Sequence, residues 1–295
     1  MKIDESRDFV LRVDKPVGPT SHDVVARSRR ALHIHRVGHT GTLDPFASGL
    51  LLLCVNRATR LAEFLTGLDK TYVGVARLDG VTTTDDRTGE FIAQNDAWRR
   101  LDPARIEGAM QAMRGEVLQV PPVYSAKKVQ GERAYRRARR GDIVQPSPVR
   151  VRIERFELLD LSLPELRFVV ECSSGTYVRA LARDLGQALG TGGYLSELRR
   201  TRIGNLSVVD ALSLAELDDG AACERAALSP LQALAHLPTL ELDEHNARRF
   251  GQGQRLPQAT SKPRDVIAVT HQDTLFALAR EDGHWLWPIK VLSPS

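Results

Sequence analysis

The sequence predicts an α+β protein: a mixed, mainly antiparallel central sheet flanked by helices, a basic insertion in mid-chain and a small β-rich unit at the C-terminal end. Three observations predict it. Segments of period two and segments of helical period are interspersed from Phe9 to about Leu237. Two long alternating runs, Val149 to Leu159 and Leu166 to Cys172, follow one another and extend the sheet. From about Pro238 the composition shifts to Gly, Pro and short strand-like fragments.

Phe9 to Val13 opens as a strand, and Asp14-Lys15-Pro16-Val17-Gly18-Pro19-Thr20-Ser21 is a turn ending in a capping Ser or Thr, so a helix follows from His22 to about Leu32. The apolar run Leu51 to Val55 is a buried strand. Arg57 to Leu68 predicts an amphipathic helix with Leu61, Phe64, Leu65 and Leu68 on one face, and Lys70 to Leu78 alternates as a strand. Asp102-Pro103 starts a helix with Ile106, Met110 and Met113 inward and Gly115 as its stop. Ser173 to Arg179 turns the second long strand into a helix reaching about Leu189. In the tail, Val266 to Val269, Leu275 to Ala279 and Trp285 to Val291 are strand candidates beside Phe250-Gly251-x-Gly253.

Lys and Arg outnumber Asp and Glu by 41 to 37, and Arg133 to Arg140 alone carries five arginines. Such a cluster suits a polyanion, whose neutralised phosphates release counterions. Cys54, Cys172 and Cys223 have neither disulfide-framework nor zinc-knuckle spacing and fit a reducing compartment, so a cytoplasmic protein is expected. No signal-peptide pattern and no apolar stretch of bilayer-spanning length is present, so no membrane role is expected. His33, His35 and His39 raise the question of a metal with Asp44, but no Cys or further His arrives at ligand spacing; neither metal nor cofactor is expected.

The chain is organised around Arg36 to Leu50, a loop that feeds the buried strand. Gly38, Gly41 and Gly49 open backbone angles denied to other residues, and Pro45 fixes the chain after Asp44. Asp44 is the only carboxylate between Asp23 and Glu63, which excludes from this stretch the paired acids of a glycoside hydrolase and points to a lone nucleophile or base.

Gly38, His39, Gly41, Leu43, Asp44, Pro45, Ala47, Gly49 and Leu51 match the pattern Gly-His-x-Gly-x-Leu-Asp-Pro-x-Ala-x-Gly-x-Leu, and the string resembles the catalytic motif of the TruB family of tRNA pseudouridine synthases. The likeness runs over nearly the whole chain. Asp14-Lys15-Pro16 with Thr20-Ser21 is similar to the family's first motif, Lys70-x-Tyr72 to its tyrosine motif, and Thr82 to Gly89 to a Thr-x-Thr-x-Asp-x-x-Gly pattern, with Asp79 where relatives carry Gly. Gly175-Thr176-Tyr177-x-Arg179 followed by Asp184-Leu185-Gly186 is similar to its arginine motif, and Leu198-Arg199-Arg200-Thr201 to its last one, where Gly193-Tyr194 replaces the usual Ala-His.

The resemblance implies the pseudouridine synthase fold over residues 1–237, with an RNA-gripping thumb at about 119–146, and a PUA-like RNA-binding unit over 238–295. It implies Asp44 as the catalytic acid, Arg179 as its partner and Tyr72 as the ring that stacks on a flipped uracil. Lys15 would lie close to the active site, His39 would face the RNA and Leu198 would pack near the uracil pocket, with Tyr177 at the same helix start as Arg179. Lys127, Lys128 and Arg136 of the basic insertion would grip the RNA.

The activity implied is isomerisation of uridine 55 in the T loop of tRNA, without cofactor or guide RNA and by a monomer. Isomerisation breaks the N-glycosidic bond, turns the base in place and rejoins it through carbon 5. The base must first leave the stack, at a cost of roughly a few kcal/mol that phosphate contacts and aromatic stacking offset. A second reading is an RNA-binding protein that helps tRNA fold, with little or no catalysis; a third is the guide-RNA-dependent relative, against which the long basic insertion counts.

Overall fold

The computed structural model describes residues 4–124, 146–257 and 263–292, with the backbone alone of 128–129 and 132–133 between them. Lys127 and Arg136 lie outside the described residues, and Lys128 is described only as backbone in a two-residue strand paired with Glu132–Arg133.

The framework comprises β1 (Phe9–Lys15), α1 (Ser21–Leu32), β2 (Val37–His39), β3 (Ser48–Val55), β4 (Lys70–Arg77), α2 (Pro103–Ala112), β5 (Gly115–Gln119), β6 (Val149–Ser162), β7 (Glu165–Cys172), α3 (Val178–Leu189) and β8 (Tyr194–Ile203). One sheet orders them as β1-β3-β8-β4-β7-β6-β5, with Leu212–Ser213 beyond β1. Neighbours are antiparallel except where β8 meets β3 and Leu212–Ser213 meets β1. The predicted mixed, mainly antiparallel sheet flanked by helices is the observed one.

Local chemistry sets the element ends. The Thr20 side chain accepts from the Asp23 amide while the Asp23 carboxylate accepts from the Thr20 amide, a capping box that starts α1. Asp102 caps α2, with Pro103 at its first position. Gly115 does not end that helix; α2 closes at Ala112, and Gly115 opens β5. The expected 57–68 helix divides into a 3-10 segment, Asn56–Leu61, and a short α-helix, Ala62–Thr66. At its start the Arg57 amide and guanidinium both donate to Asp8, a tertiary tie that helical periodicity cannot show.

β8 is the element that periodicity did not predict. It carries Glu197, Arg199, Arg200 and Arg202, yet it runs through the centre of the sheet between β3 and β4. Around Tyr72, Ile153, Phe156, Phe168 and Leu185, one core packs α2 and α3 on the sheet; another, around Phe9, Leu11, Val24 and Leu53, packs α1.

In the tail, Thr239–Glu241, Arg264–His271, Thr274–Glu281, Trp285–Val291 and Leu256–Pro257 form a five-stranded sheet with an unpredicted helix, Glu244–Gly251, beside it. Ile267, Val269, Phe250 and Leu286 give it a core of its own. Its other face is not free: Ala268, Leu275, Leu278 and Leu292 are buried together with Val10, Leu50, Leu52 and Leu61 of the main sheet and its cover.

Candidate active site

The Asp44 loop is pinned at several points. The Ser21 hydroxyl at the start of α1 donates to the Leu43 carbonyl and accepts from the Leu43 amide, at 3.2 and 2.9 Å. The Gly18 amide donates to the Pro45 carbonyl, and the Ala47 amide to that of Asp44. Gly49 ends the loop with φ +107°, and a Cβ there would lie 2.2 Å from the carbonyl oxygen of Arg200, so only glycine lets β3 and β8 meet.

Helix α3 supplies the partner. Gln119 fixes its start: the Tyr177 amide donates to Gln119 Oε1 at 2.8 Å, and Gln119 Nε2 donates to the Tyr177 carbonyl at 3.1 Å. Two residues on, buried Arg179 meets Asp44 with Nε to Oδ2 at 3.0 Å and Nη2 to Oδ1 at 3.4 Å, a two-pronged pairing. Its remaining donors go to Asp86 Oδ2 at 3.2 Å and to the carbonyls of Thr84 and Tyr124, both at 2.9 Å. Asp86 is itself held by the hydroxyls of Thr84 and Thr88 and the Thr88 amide. One turn further along α3, Arg183 pairs with Asp85 and donates to the Val120 carbonyl.

The Asp44 side chain keeps 36% of its surface exposed, and that surface faces a cavity of about 120 Å³ lined by Thr42, Leu43, Tyr72, Tyr177, Arg179 and Leu198. The space is far smaller than the few hundred Å³ of a drug-sized ligand site and has the scale of one ring. A wider groove of about 430 Å³, with Arg87, Arg167 and Arg199 on its walls, has Leu198 in common with it.

Burial pushes the Asp44 carboxyl above its ordinary value; Arg179 opposes this, Asp86 adds to it and Lys15 opposes it. Burial also raises the Tyr72 phenol, against the pull of Arg200. Besides Arg179, three cations are buried, Lys15, Lys70 and Arg200. None of them forms an ion pair among the described residues. Lys15 donates to the carbonyls of Pro16 and Pro19, Lys70 to those of Thr66 and Leu68, and Arg200 to those of Leu50 and Gly41. Burial brings both lysines down to about 8.

The structure therefore gathers Asp44, Tyr72, Arg179, Tyr177 and Leu198 around one cavity. Lys15 lies under the loop, folded back on its own turn. His39 is not among the residues that line the cavity: its Nδ1 accepts from the Gly41 amide at 3.3 Å and its ring meets the edge of His22. Sequence reasoning passed over Asp86, Gln119 and Arg200. Asp86 and Arg200 stand in the Thr-x-Thr-x-Asp-x-x-Gly and Leu-Arg-Arg-Thr strings, which were the available signal; Gln119 has none. Among the described residues no group of three or more His, Cys, Asp and Glu gathers as for a metal, and no helix is long and apolar enough to cross a membrane.

A single carboxylate gripped by a buried arginine beside a ring-sized cavity, on this sheet, belongs to a known class. The chain aligns with a TM-score of 0.75 and 26% identity, over 97% of its length and 85% of the other's, to a protein in the "Structure of H/ACA RNP bound to a substrate RNA containing 2'-deoxyuridine". It aligns at 0.76 and 27%, over 98% and 86%, to one in the "Crystal Structure of a Cbf5-Nop10-Gar1 Complex". The architecture is the pseudouridine synthase fold. A profile described as TruB family pseudouridylate synthase (N terminal domain) matches residues 29–178, and one described as tRNA pseudouridylate synthase B C-terminal domain matches 179–237. The chain belongs to the TruB family of pseudouridylate synthases. Curated relatives named tRNA pseudouridine synthase B include one from Arthrobacter sp., 42% identical over 96% of both chains, and one from Mycobacterium avium, 44% identical over 92% of this chain and 88% of that one.

Proposed function

We propose that this chain isomerises uridine to pseudouridine at position 55 in the T loop of tRNA, acting on a base flipped out of the RNA stack. The observation that carries the reading is the pairing of Asp44 with Arg179 at the wall of the ring-sized cavity. Family membership and the relatives' shared name support the reaction and its tRNA substrate.

The bookkeeping needs no second substrate. The bond between N1 and the sugar breaks, one between carbon 5 and the sugar forms, carbon 5 gives up a proton and N1 takes one. Asp44 acts as the ionised carboxylate at the flipped nucleotide, and Arg179 aims it. Tyr72 stacks on the uracil from within the sheet, with Leu198 and Tyr177 closing the cavity around the ring. Lys15 contributes field rather than contact, and His39, on the strand that leads into the Asp44 loop, faces the RNA.

Residues 1–237 form the catalytic unit in this reading, Lys127, Lys128 and Arg136 of the thumb at about 119–146 contact RNA phosphates, and 238–295 adds a PUA-like RNA-binding unit. The enzyme works as a monomer in the cytoplasm without guide RNA. The test is tritium release from a tRNA transcript labelled at uridine carbon 5. Release by the wild type and none by Asp44→Asn is expected. Tight, salt-sensitive binding without release by the wild type would favour the tRNA-folding reading instead, and equal release by both proteins would remove Asp44 from the chemistry.

A further inference from the structure

Helix α3 is capped from outside itself. Its N-cap residue is Tyr177, whose side chain makes no capping hydrogen bond. The cap comes from Gln119, 58 residues away in the chain, and Gln119 belongs to the sheet: it is the last residue of β5, in register with Val149 of β6, and only 2% exposed. Both ends of its carboxamide go to the same residue. Oε1 accepts from the Tyr177 amide at 2.8 Å, and Nε2 donates at 3.1 Å to the Tyr177 carbonyl, which also accepts from the Leu181 amide within the helix. The residues after Gln119 continue the attachment. Val120 offers its carbonyl to Arg183 and Tyr124 offers its own to Arg179, both at 2.9 Å. Arg179 Nη2, which makes the second of these bonds, also faces Asp44 Oδ1 at 3.4 Å.

We propose that Gln119 is a positioning residue for the reaction: its carboxamide fixes the start of α3 against the end of the sheet and thereby sets where the Arg179 guanidinium meets Asp44. The inference rests on the reading of Asp44 and Arg179 given above. Helix stability alone would be served by a Ser, Thr, Asp or Asn at the N-cap itself, a local device that moves with its helix. A cap that comes from a strand adds what a local one cannot, a fixed distance between helix and sheet. Arg179 lies two residues beyond the junction, in the first turn of α3, so a shift of the helix start reaches the guanidinium directly. The pairing has little slack. Its longer prong is already at 3.4 Å, and a retreat of a few tenths of an ångström removes it.

The experiment compares the wild type with Gln119→Met, which keeps the length of the side chain and loses both bonds, in the full chain. It reads the single-turnover rate of tritium release, the acid-side midpoint of its pH profile and the affinity for a T stem-loop. The rate is expected to fall about 10- to 100-fold, the larger figure being the scale of a 1 Å misplacement, with affinity changed by less than about threefold. The midpoint is expected to move to higher pH. Arg179 opposes the upward push of burial on Asp44, so a guanidinium that backs away leaves the carboxyl higher, while Asp86, which adds to the push, and Lys15 of β1, which opposes it, act in both proteins. A weakened helix without a positioning role would lower the active fraction and leave the midpoint in place. An unmoved midpoint, a wild-type rate, or rate and affinity falling together would each overturn the proposal. Absence of release by the wild type would instead sink the functional reading. Where Gln119→Met does not fold, Gln119→Asn takes its place: its carboxamide is one methylene too short to make both bonds, and the same changes are expected to a smaller degree. Wild-type values in that variant count against the proposal.

Discussion

Asp44 and Asp86 bind opposite sides of one guanidinium: Arg179 Nε lies 3.0 Å from the Asp44 carboxylate and Nη1 lies 3.2 Å from that of Asp86. Asp86 is anchored by two threonine hydroxyls and an amide, so it acts as the fixed point against which Arg179 is aimed. The two acids are unequal, since Asp44 faces the cavity and Asp86 is buried.

Arg179→Lys keeps the charge and loses the fork. The ammonium cannot hold Asp44, Asp86 and the carbonyls of Thr84 and Tyr124 together, so single-turnover rates should fall by about 100-fold or more. Filter binding of a T stem-loop should change far less. A loss confined to affinity would show that Arg179 grips RNA rather than the carboxylate.

The acid side of the pH–rate profile follows from burial. A carboxylate raised above 3.8 must lose its proton before it acts, so rates should begin to decline at a pH above that of an ordinary aspartate as the medium is acidified. Asp86 contributes to the rise, and Asp86→Asn should move the midpoint to lower pH even as it slows the maximum rate. An unmoved midpoint would separate Asp86 from the titration.

Lys70 gives a stability signature at high pH. Its folded-state value of about 8 lies below the 10.5 of the free side chain, so between these values the unfolded chain holds a proton that the folded chain has released. The wild type should therefore gain stability relative to Lys70→Met as pH rises from about 8 towards 10.5, by about 1 to 3 kcal/mol. Urea unfolding of both proteins at either end of that window measures it. A constant gap would mean that the amine titrates normally.

Gly49→Ala should cost about 3 kcal/mol or more, because a positive φ is combined with a Cβ 2.2 Å from the Arg200 carbonyl oxygen. Gly175 also has a positive φ, of +85°, but nothing within 4 Å of its Cβ, so Gly175→Ala should cost only about 1 kcal/mol. Thermal melts of the two variants test the contrast. Equal losses would assign the need for glycine to backbone angle alone.

The sequence made some of this legible and hid the rest for physical reasons. Lys70 to Arg77 alternates because one face is buried and the other half-exposed, so period two is visible. Thr20 and Asp23 announce α1 through capping chemistry that is local by nature. Asp44 stood out as a lone acid in a glycine-rich loop, but its meeting with Arg179, far off in sequence, came from resemblance and not from spacing. β8 was hidden by its charges: Arg200 reads as a solvated residue until the carbonyls of Leu50 and Gly41 appear beside it. The helix Glu244–Gly251 was hidden by the glycines at its end.

The shared core behind β3 ties the history of each molecule to its last strand. Leu292 packs with Leu50 and Leu52, on the strand that the Asp44 loop feeds. During synthesis the main sheet thus waits with an uncovered apolar face until the tail emerges from the ribosome, and a nascent chain stalled before Leu275 would offer that face to chaperones or proteases.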